Sequence, residues 1–164
     1  MRVLGTRRLP YGRSLAAGLL LVAAFAIAGC AAKPPVVTPV TMTVTAGADA
    51  NPDVRGRASP LIVRVYALKS PGPFEGADFF SLFEKDTATL GAELIQREEM
   101  LLRPGESKKL DMTMPADGKA IGVMAAYRDL DRARWREVRA VEVGKPLALT
   151  ISLGARQIRI DPAK

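Results

Sequence analysis

Apolar and polar residues alternate along much of the chain, and a period of two predicts β-strands with one buried face. The alternation is clearest in four segments, which are residues 40–46, 110–114, 121–127 and 147–153. Residues 61–68 (LIVRVYAL) are apolar on both faces except at Arg64, which is typical of a central strand.

Three further segments are shorter or less regular. A strand is expected to end at Leu102, and another at residues 157–160. In residues 134–142 the apolar positions shift from odd to even numbers, which favours a bulge or an edge strand.

Turn residues separate these strands. Residues 103–106 (RPGE) predict a turn, and Asp117 followed by Gly118 predicts a hairpin. Residues 47–60 combine Gly, Pro, Asn and Asp with almost no large apolar side chain, which indicates a long loop. Loops of that length are uncommon in compact domains unless they have a function.

Residues 71–91 interrupt the strand pattern. After Asp78 as a possible N-cap, phenylalanines follow at helical spacing, and residues 87–94 could form a second helical turn with Leu90 and Leu94 aligned. Four of the five phenylalanines lie here, at positions 74, 79, 80 and 83. We expect them to fill one end or edge of the core, the alternative being an exposed aromatic binding patch.

Together these elements predict a mainly β domain over residues 40–164. About eight strands with one short helical insertion after the second strand favour a two-sheet β-sandwich.

The N-terminal residues have a different character. Four arginines precede the uncharged apolar run at residues 15–28, as in a secretory signal peptide, and the run is shorter than the roughly 20 residues that span a bilayer. The small residues before Cys30 resemble the lipobox of bacterial lipoproteins. This resemblance implies cleavage after Gly29, a diacylglycerol on the Cys30 thiol and an acylated new amino terminus. The alternative is cleavage after Ala28, with Cys30 an incidental free thiol.

Residues 30–39 then form a predicted tether. Its prolines favour an extended polyproline II conformation of about 3.1 Å per residue, so nine residues could reach roughly 28 Å. Residue 31 is alanine and not aspartate, which resembles the pattern of lipoproteins exported to the outer membrane.

The charge composition limits the kinds of partner that the domain can bind. Without residues 1–29 the chain keeps 20 Lys+Arg against 17 Asp+Glu, because four of the 24 basic residues lie in the signal peptide. The densest basic cluster, within residues 132–139, is interleaved with acids, so we interpret it as a solvated strand face and expect no nucleic-acid partner.

The chain contains no histidine. This removes the usual general base, histidine-dependent nucleophiles and most zinc sites. Carboxylate pairs such as Glu98 with Glu99, or Asp129 with Asp131, are more typical of solvated turns and strands. We therefore expect no enzyme activity, no cofactor and no metal.

The order of features resembles the TssJ lipoproteins of type VI secretion systems. The resemblance rests on the lipobox, on residues 51–53 (NPD), on 56–60 (GRASP), on the strand 61–68, and on 77–82 (ADFFSL). Further agreement comes from residues 101–105 (LLRPG), 121–123 (IGV) with 127–128 (YR), and 135–136 (WR).

The resemblance implies a transthyretin-like sandwich tethered to the outer membrane at its periplasmic face. It implies a non-enzymatic adaptor that binds the periplasmic C-terminal domain of TssM, with TssL completing the complex. In that family the loop between the first two strands carries partner contacts, which maps to residues 48–59 and to five candidates, Asn51, Pro52, Asp53, Arg55 and Arg57.

Two alternatives stay open. Asn51, Pro52 and Asp53 could instead form a structural turn, whereas Arg55 and Arg57 have no evident turn role and offer guanidinium groups for bidentate contacts. The domain could also be a periplasmic sandwich that binds a small ligand or carbohydrate on the phenylalanine-rich segment and Trp135. A carboxylate-based hydrolase would need two carboxylates converging in a cleft.

Overall fold

The computed structural model describes residues 35–163, which form eight strands and two helices. The strands are β1 (Val37–Ala46), β2 (Leu61–Leu68), β3 (Leu94–Leu102), β4 (Ser107–Pro115), β5 (Ala120–Ala125), β6 (Arg136–Ala140), β7 (Leu147–Leu153) and β8 (Ile158–Pro162). Helices α1 (Gly72–Gly76) and α2 (Phe79–Leu90), then a 3-10 turn (Gly91–Glu93), lie between β2 and β3. The predicted strand number and helical insertion are confirmed. The predicted signal peptide, Cys30 and residues 31–34 of the tether lie outside the described residues.

The strands form two four-stranded sheets in the orders β4-β1-β7-β8 and β3-β2-β5-β6. β1 and β7 run parallel, and the other pairs are antiparallel. Alternate side chains of β1, including Val40 and Val44, meet Val63 and Val65 of β2 in the core between the sheets. β6 lies at a sheet edge, as its irregular pattern predicted.

A second apolar cluster covers the outer face of the β3-β2-β5-β6 sheet. Tyr66, Phe74 and Leu82 are fully buried there beneath the helices. A Cβ atom on Gly122 would lie 3.1 Å from both Leu68 and Phe74, so glycine lets this helical segment approach the sheet closely. The phenylalanine-rich segment therefore covers a sheet face, and the expectation that it fills an end or edge is wrong. The same arrangement explains why β2 is apolar on both faces.

Helix α2 begins as predicted and consists of two segments. Asp78 caps it by accepting a hydrogen bond from the Ser81 amide at 2.9 Å. Its backbone departs from helical geometry at Lys85, and a second helical segment follows this kink and ends at Leu90, before the 3-10 turn Gly91–Glu93. The predicted second helical turn is therefore confirmed, except that Leu94 already belongs to β3.

A buried ionic network holds the kinked helix to the sheet. Arg64 donates from Nη1 to the Phe83 carbonyl oxygen at 2.7 Å. Asp86 is 5% exposed and accepts hydrogen bonds from Arg97 at 2.8 Å and from the Tyr66 hydroxyl at 3.3 Å. Burial alone would raise the pKa of Asp86, but the hydrogen bonds from Arg97 and Thr87 and the two arginine charges outweigh it and lower that pKa.

The start of β1 and the connection at residues 117–118 differ from the prediction. β1 begins at Val37, so the last three residues of the predicted tether belong to the sandwich. At Pro39 only β4 lies beside β1, because pairing with β7 starts at Val40, and strand prolines are tolerated where a neighbour is missing. Residues 117–118 do not form a hairpin, since β4 and β5 belong to different sheets.

The strands define two ends of the sandwich. The loop end comprises residues 47–60, 103–106, 126–135 and 154–157. The tether end comprises residues 35–37, 116–119 and 141–146. β1 joins them with 10 residues, which places the ends about 30 Å apart at roughly 3.3 Å per residue. Within residues 35–163, no helix is long and apolar enough to cross a membrane.

Candidate functional site

The long loop between β1 and β2 is fixed at its base by Asn51. Its side chain is 3% exposed and donates to the Pro60 carbonyl oxygen at 2.8 Å, while its amide oxygen accepts from the Arg128 backbone at 2.8 Å. Asn51 also has φ 51°, a left-handed conformation that asparagine tolerates better than most residues. Asn51 therefore positions the loop against the β5–β6 connection, and its side chain is not available to a partner.

The tip of the loop is closed by Asp53. Its carboxylate accepts from the backbone amides of Arg55 at 2.8 Å and Arg57 at 3.0 Å, and from Arg57 Nε at 2.8 Å. These hydrogen bonds from Arg57, backbone first, hold the pKa of Asp53 below its ordinary value. Gly56, at φ 78°, completes the turn by donating to the Asp53 carbonyl oxygen.

The expectation that Arg57 has no local turn role is therefore wrong. Its guanidinium pairs with Asp53 at 2.7 Å, yet the Arg57 side chain is 73% exposed. Arg57 can close the turn and still offer the outer edge of its guanidinium to a partner.

Between Asp53 and Arg57 the tip exposes apolar and cationic groups. Val54 is 104% exposed, the largest exposure among the large apolar residues described. Arg55 is also exposed and forms no ion pair within residues 35–163. A closed turn thus presents a projecting apolar side chain beside a free guanidinium group.

Two other connections complete the loop end. Arg156, in the turn between β7 and β8, donates from Nε to Asp129 in the β5–β6 connection at 3.0 Å. The Tyr127 hydroxyl donates to the Gln157 carbonyl oxygen at 2.9 Å, and burial raises the pKa of Tyr127, which keeps this hydroxyl a donor.

An open cleft of about 980 Å³ lies between these three connections. Pro52, Asp53 and Val54 line it from the β1–β2 loop, and Arg128 and Arg132 line it from the β5–β6 connection. Arg128 and Arg132 are exposed and form no ion pair among the described residues. Asp49 and Asp131 also line the cleft and form no ion pair among the described residues, so they offset these two charges in number. Arg55 at the loop tip adds one further positive charge, which suits a partner that carries carboxylates.

Sequence reasoning missed part of this site. Val54 went unnoticed because one valine among loop residues gives no pattern. Arg132 was missed because the basic cluster was interpreted as a strand face, whereas residues 126–135 mostly form a connection whose only pairing is a bridge between Arg134 and Gln157. Arg128 lies outside that cluster and was noted only as part of a family motif. The acidic residues between these arginines could have indicated a loop, because mixed acidic and basic residues are also typical of polar loops.

The aromatic segment does not form an open stacking platform. Phe79 packs on Phe83, with ring centroids 5.4 Å apart, and edge-on to Trp135 at 5.3 Å. The Arg136 guanidinium lies 4.7 Å from the Trp135 ring centroid. Only Phe80 is well exposed, at 62%, beside a shallow cleft of about 580 Å³. These mutual contacts argue against carbohydrate stacking.

Two of the four carboxylates that line the cleft are engaged in ion pairs. Asp53 pairs with Arg57, and Asp129 pairs with Arg156, so neither is free to act as a proton donor. Among residues 35–163, no cluster of acidic or cysteine side chains could hold a metal ion. The arrangement favours recognition of a surface through charge and an apolar contact.

Comparison with known proteins identifies relatives of the whole domain. The family model described as type VI secretion lipoprotein (T6SS-SciN, VasD, EvfM, TssJ) matches residues 38–156. No curated protein matches the chain.

Solved structures match over most of the chain. The T6SS lipoprotein TssJ1 from Pseudomonas aeruginosa is 40% identical, with a TM-score of 0.75 over 80% of this chain and 98% of that chain. Serratia marcescens Lip, a membrane-bound component of the type VI secretion system, is 27% identical, with a TM-score of 0.71 over 79% and 99%. A chain in the structure of the T6SS protein TssM C-terminal domain from EAEC is 27% identical, with a TM-score of 0.64 over 74% and 99%.

Proposed function

The chain belongs to the TssJ family of type VI secretion lipoproteins, and on this premise we propose that it is a non-enzymatic adaptor between the outer membrane and the secretion complex. In this proposal the domain is lipidated on Cys30 after cleavage behind Gly29, and it lies at the periplasmic face of the outer membrane. Its partner is the periplasmic C-terminal domain of TssM, which connects it indirectly to TssL.

The projecting loop tip carries this proposal. Val54 is fully exposed on a turn that Asp53 and Arg57 already close. Because the turn is ordered before binding, little conformational entropy remains to be lost when a partner docks. Arginine is enriched at protein interfaces, and an exposed apolar side chain beside it can be buried when a partner docks.

The geometry of the sandwich supports the same assignment. The loop end lies about 30 Å from the tether end along β1, at roughly 3.3 Å per residue. A lipid at Cys30 would therefore hold the tether end near the membrane and direct Val54 and Arg55 toward the periplasm.

Within the loop the proposed roles differ. Pro52, Val54, Arg55 and Arg57 are the proposed contacts, with Arg128 and Arg132 extending the surface beside the cleft. Asn51 and Asp53 act as positioning residues, since their polar atoms are occupied inside the protein. The solved chain from the TssM C-terminal domain structure, 27% identical to this one, supports TssM as the partner class.

Binding of residues 31–164 to the C-terminal domain of TssM from the same secretion cluster tests the proposal by calorimetry. We expect Val54→Ser with Arg55→Ala to weaken binding at least about tenfold, which corresponds to about 1.4 kcal/mol. The matched control, Val143→Ser with Arg139→Ala, removes an exposed valine and an exposed arginine away from the loop end and should leave Kd unchanged.

Equal affinities for the two double variants would show that the interface does not lie at the loop end. Absence of wild-type binding, with the fold intact by circular dichroism, would reject TssM as the partner.

A further inference from the structure

The tether end carries an unpartnered apolar patch formed by Val36, Val37 and Val143. They are 54%, 44% and 42% exposed, and they are three of the six exposed large apolar residues in the described part of the chain. Val54, Phe80 and Leu101 are the other three, and they lie elsewhere on the domain. Half of the exposed large apolar residues thus lie at one end of the sandwich.

The two segments that carry the patch are joined. A Cβ atom on Gly144 would lie 3.3 Å from Val36 Cγ1, so Val36 lies against the backbone next to Val143. The buried Thr38 hydroxyl accepts from the Gly144 amide at 2.7 Å, which joins the start of β1 to the β6–β7 connection. Val36 and the segment of Val143 therefore adjoin, and Val37 follows Val36 at the start of β1.

The charges around the patch nearly cancel. Lys145 pairs with Glu142, and Lys69 pairs with Asp117 at 3.0 Å. Lys119 is exposed without an ion pair in residues 35–163. Net attraction to anionic groups is therefore small, and an occupant of this surface must be recognised mainly by its apolar character.

The short connection between Cys30 and the patch indicates that a lipid bilayer covers the three valines. Only five residues separate Cys30 from Val36, so six Cα–Cα steps can span at most about 22 Å. Because β1 begins at Val37, this connection is shorter than the predicted tether. A lipid on Cys30 would hold the valines within reach of the bilayer interface.

We propose that the tether end rests on the phospholipid surface, with Val36, Val37 and Val143 inserted among the headgroups. Valine burial at the interface adds an apolar contact to the acyl chains, and exposed Lys119 and Lys145 can extend their charged ends toward water. The contact restricts tilting of the sandwich, so the loop end is presented away from the membrane. This inference rests on the proposed lipidation of Cys30, but it does not depend on TssM.

The test uses the full chain, processed in a Gram-negative host and reconstituted without TssM in vesicles of phosphatidylethanolamine and phosphatidylglycerol. A fluorophore is attached at Val143→Cys or at the matched control Val54→Cys, and nitroxide-bearing lipids quench it. Cys30 is the only natural cysteine, so wild type labels only if the Cys30 thiol is unmodified.

We expect quenching at position 143 to be several-fold stronger than at position 54. Adding Val36→Thr and Val37→Thr to Val143→Cys should lower quenching toward the level at position 54, because threonine keeps the shape of valine but has a hydroxyl in place of one methyl group.

Each other outcome contradicts the inference in a recognisable way. Equal quenching at 143 and 54, with unlabelled wild type, rejects the membrane contact and leaves the lipid anchor intact. Labelling of wild type at Cys30 rejects the anchor and the contact together. A probe at 143 that is shielded from both aqueous and lipid quenchers indicates a second copy of the chain on this surface, which also overturns the proposal.

Discussion

The two ends of the sandwich are built by the same strands but differ in how they are closed. At the loop end, the Asn51 side chain accepts from the Arg128 amide and joins residues 47–60 to residues 126–135. Arg156 of the β7–β8 turn donates to Asp129 and joins that turn to the same connection. At the tether end, short connections leave three valines exposed, with Thr38 as the side-chain tie to Gly144. The loop end is polar, cationic and concave, whereas the tether end is short and apolar.

This difference shows how a sandwich can separate two tasks. The strands cross the domain from end to end, so the proposed attachment at Cys30 would leave the loop end facing away from the membrane. Long connections at the far end can then carry recognition residues without disturbing the near end. The comparison predicts that changes at one end leave the behaviour of the other unchanged.

The largest expected effect on stability is at the buried ionic network of Asp86, which lies between the two ends of the sandwich. Asp86→Ala should lower the free energy of unfolding by about 3 kcal/mol, because it leaves Arg64 and Arg97 without their buried partner. Denaturant unfolding measures this loss, and Asp111→Ala, at an exposed position, is the control. A loss below that of the control would show that the network does not hold the helix to the sheet.

The same substitution has a defined pH dependence. The folded-state pKa of Asp86 lies below the ordinary value of 3.8, so its stabilising contribution is present above that value and lost as pH falls through the folded-state pKa. Wild type should therefore lose more stability than Asp86→Ala as the pH is lowered through this range. Parallel pH profiles for the two proteins would contradict this assignment.

A smaller effect is expected at the base of the loop. Asn51→Ala removes two hydrogen bonds and places alanine at positive φ, which together should cost about 2 kcal/mol and weaken TssM binding by loosening the loop. Asn51→Gly loses the same hydrogen bonds, but glycine adopts a positive φ without strain. The difference in the free energy of unfolding between the two variants therefore measures the backbone strain of alanine. Faster amide exchange at Arg128 with unchanged exchange at Gly144 would confine the change to the loop end.

The smallest effect is expected at the tether end. Thr38→Val keeps the side-chain shape but leaves the Gly144 amide without its acceptor, which should cost about 1 kcal/mol. Thr41→Val, at an exposed position on the same strand, is the matched control. TssM binding should not change, and a loss of affinity in Thr38→Val would show that the two ends are coupled.

Most of the fold could be predicted from the sequence because alternation and turn residues are local signals. The bounds 61–68 predicted for β2 match the observed strand, and Asp78 caps α2 as expected. The hairpin at residues 117–118 failed because turn chemistry does not report which sheet the next strand joins. The placement of the phenylalanines failed for a related reason, since apolar residues on both faces of β2 do not reveal what covers the outer face.

By itself, the sequence determined the strand pattern, the long loop after β1, the absence of histidine chemistry and the family motifs. Only the tertiary structure decided that Asn51 points inward, that Asp53 and Arg57 close the loop tip, and that Val54 projects beside Arg128 and Arg132. These roles depend on contacts between segments up to 77 residues apart, such as Asn51 with Arg128. Local patterns carry no record of such contacts, because the packing of the two sheets brings those segments to the same end.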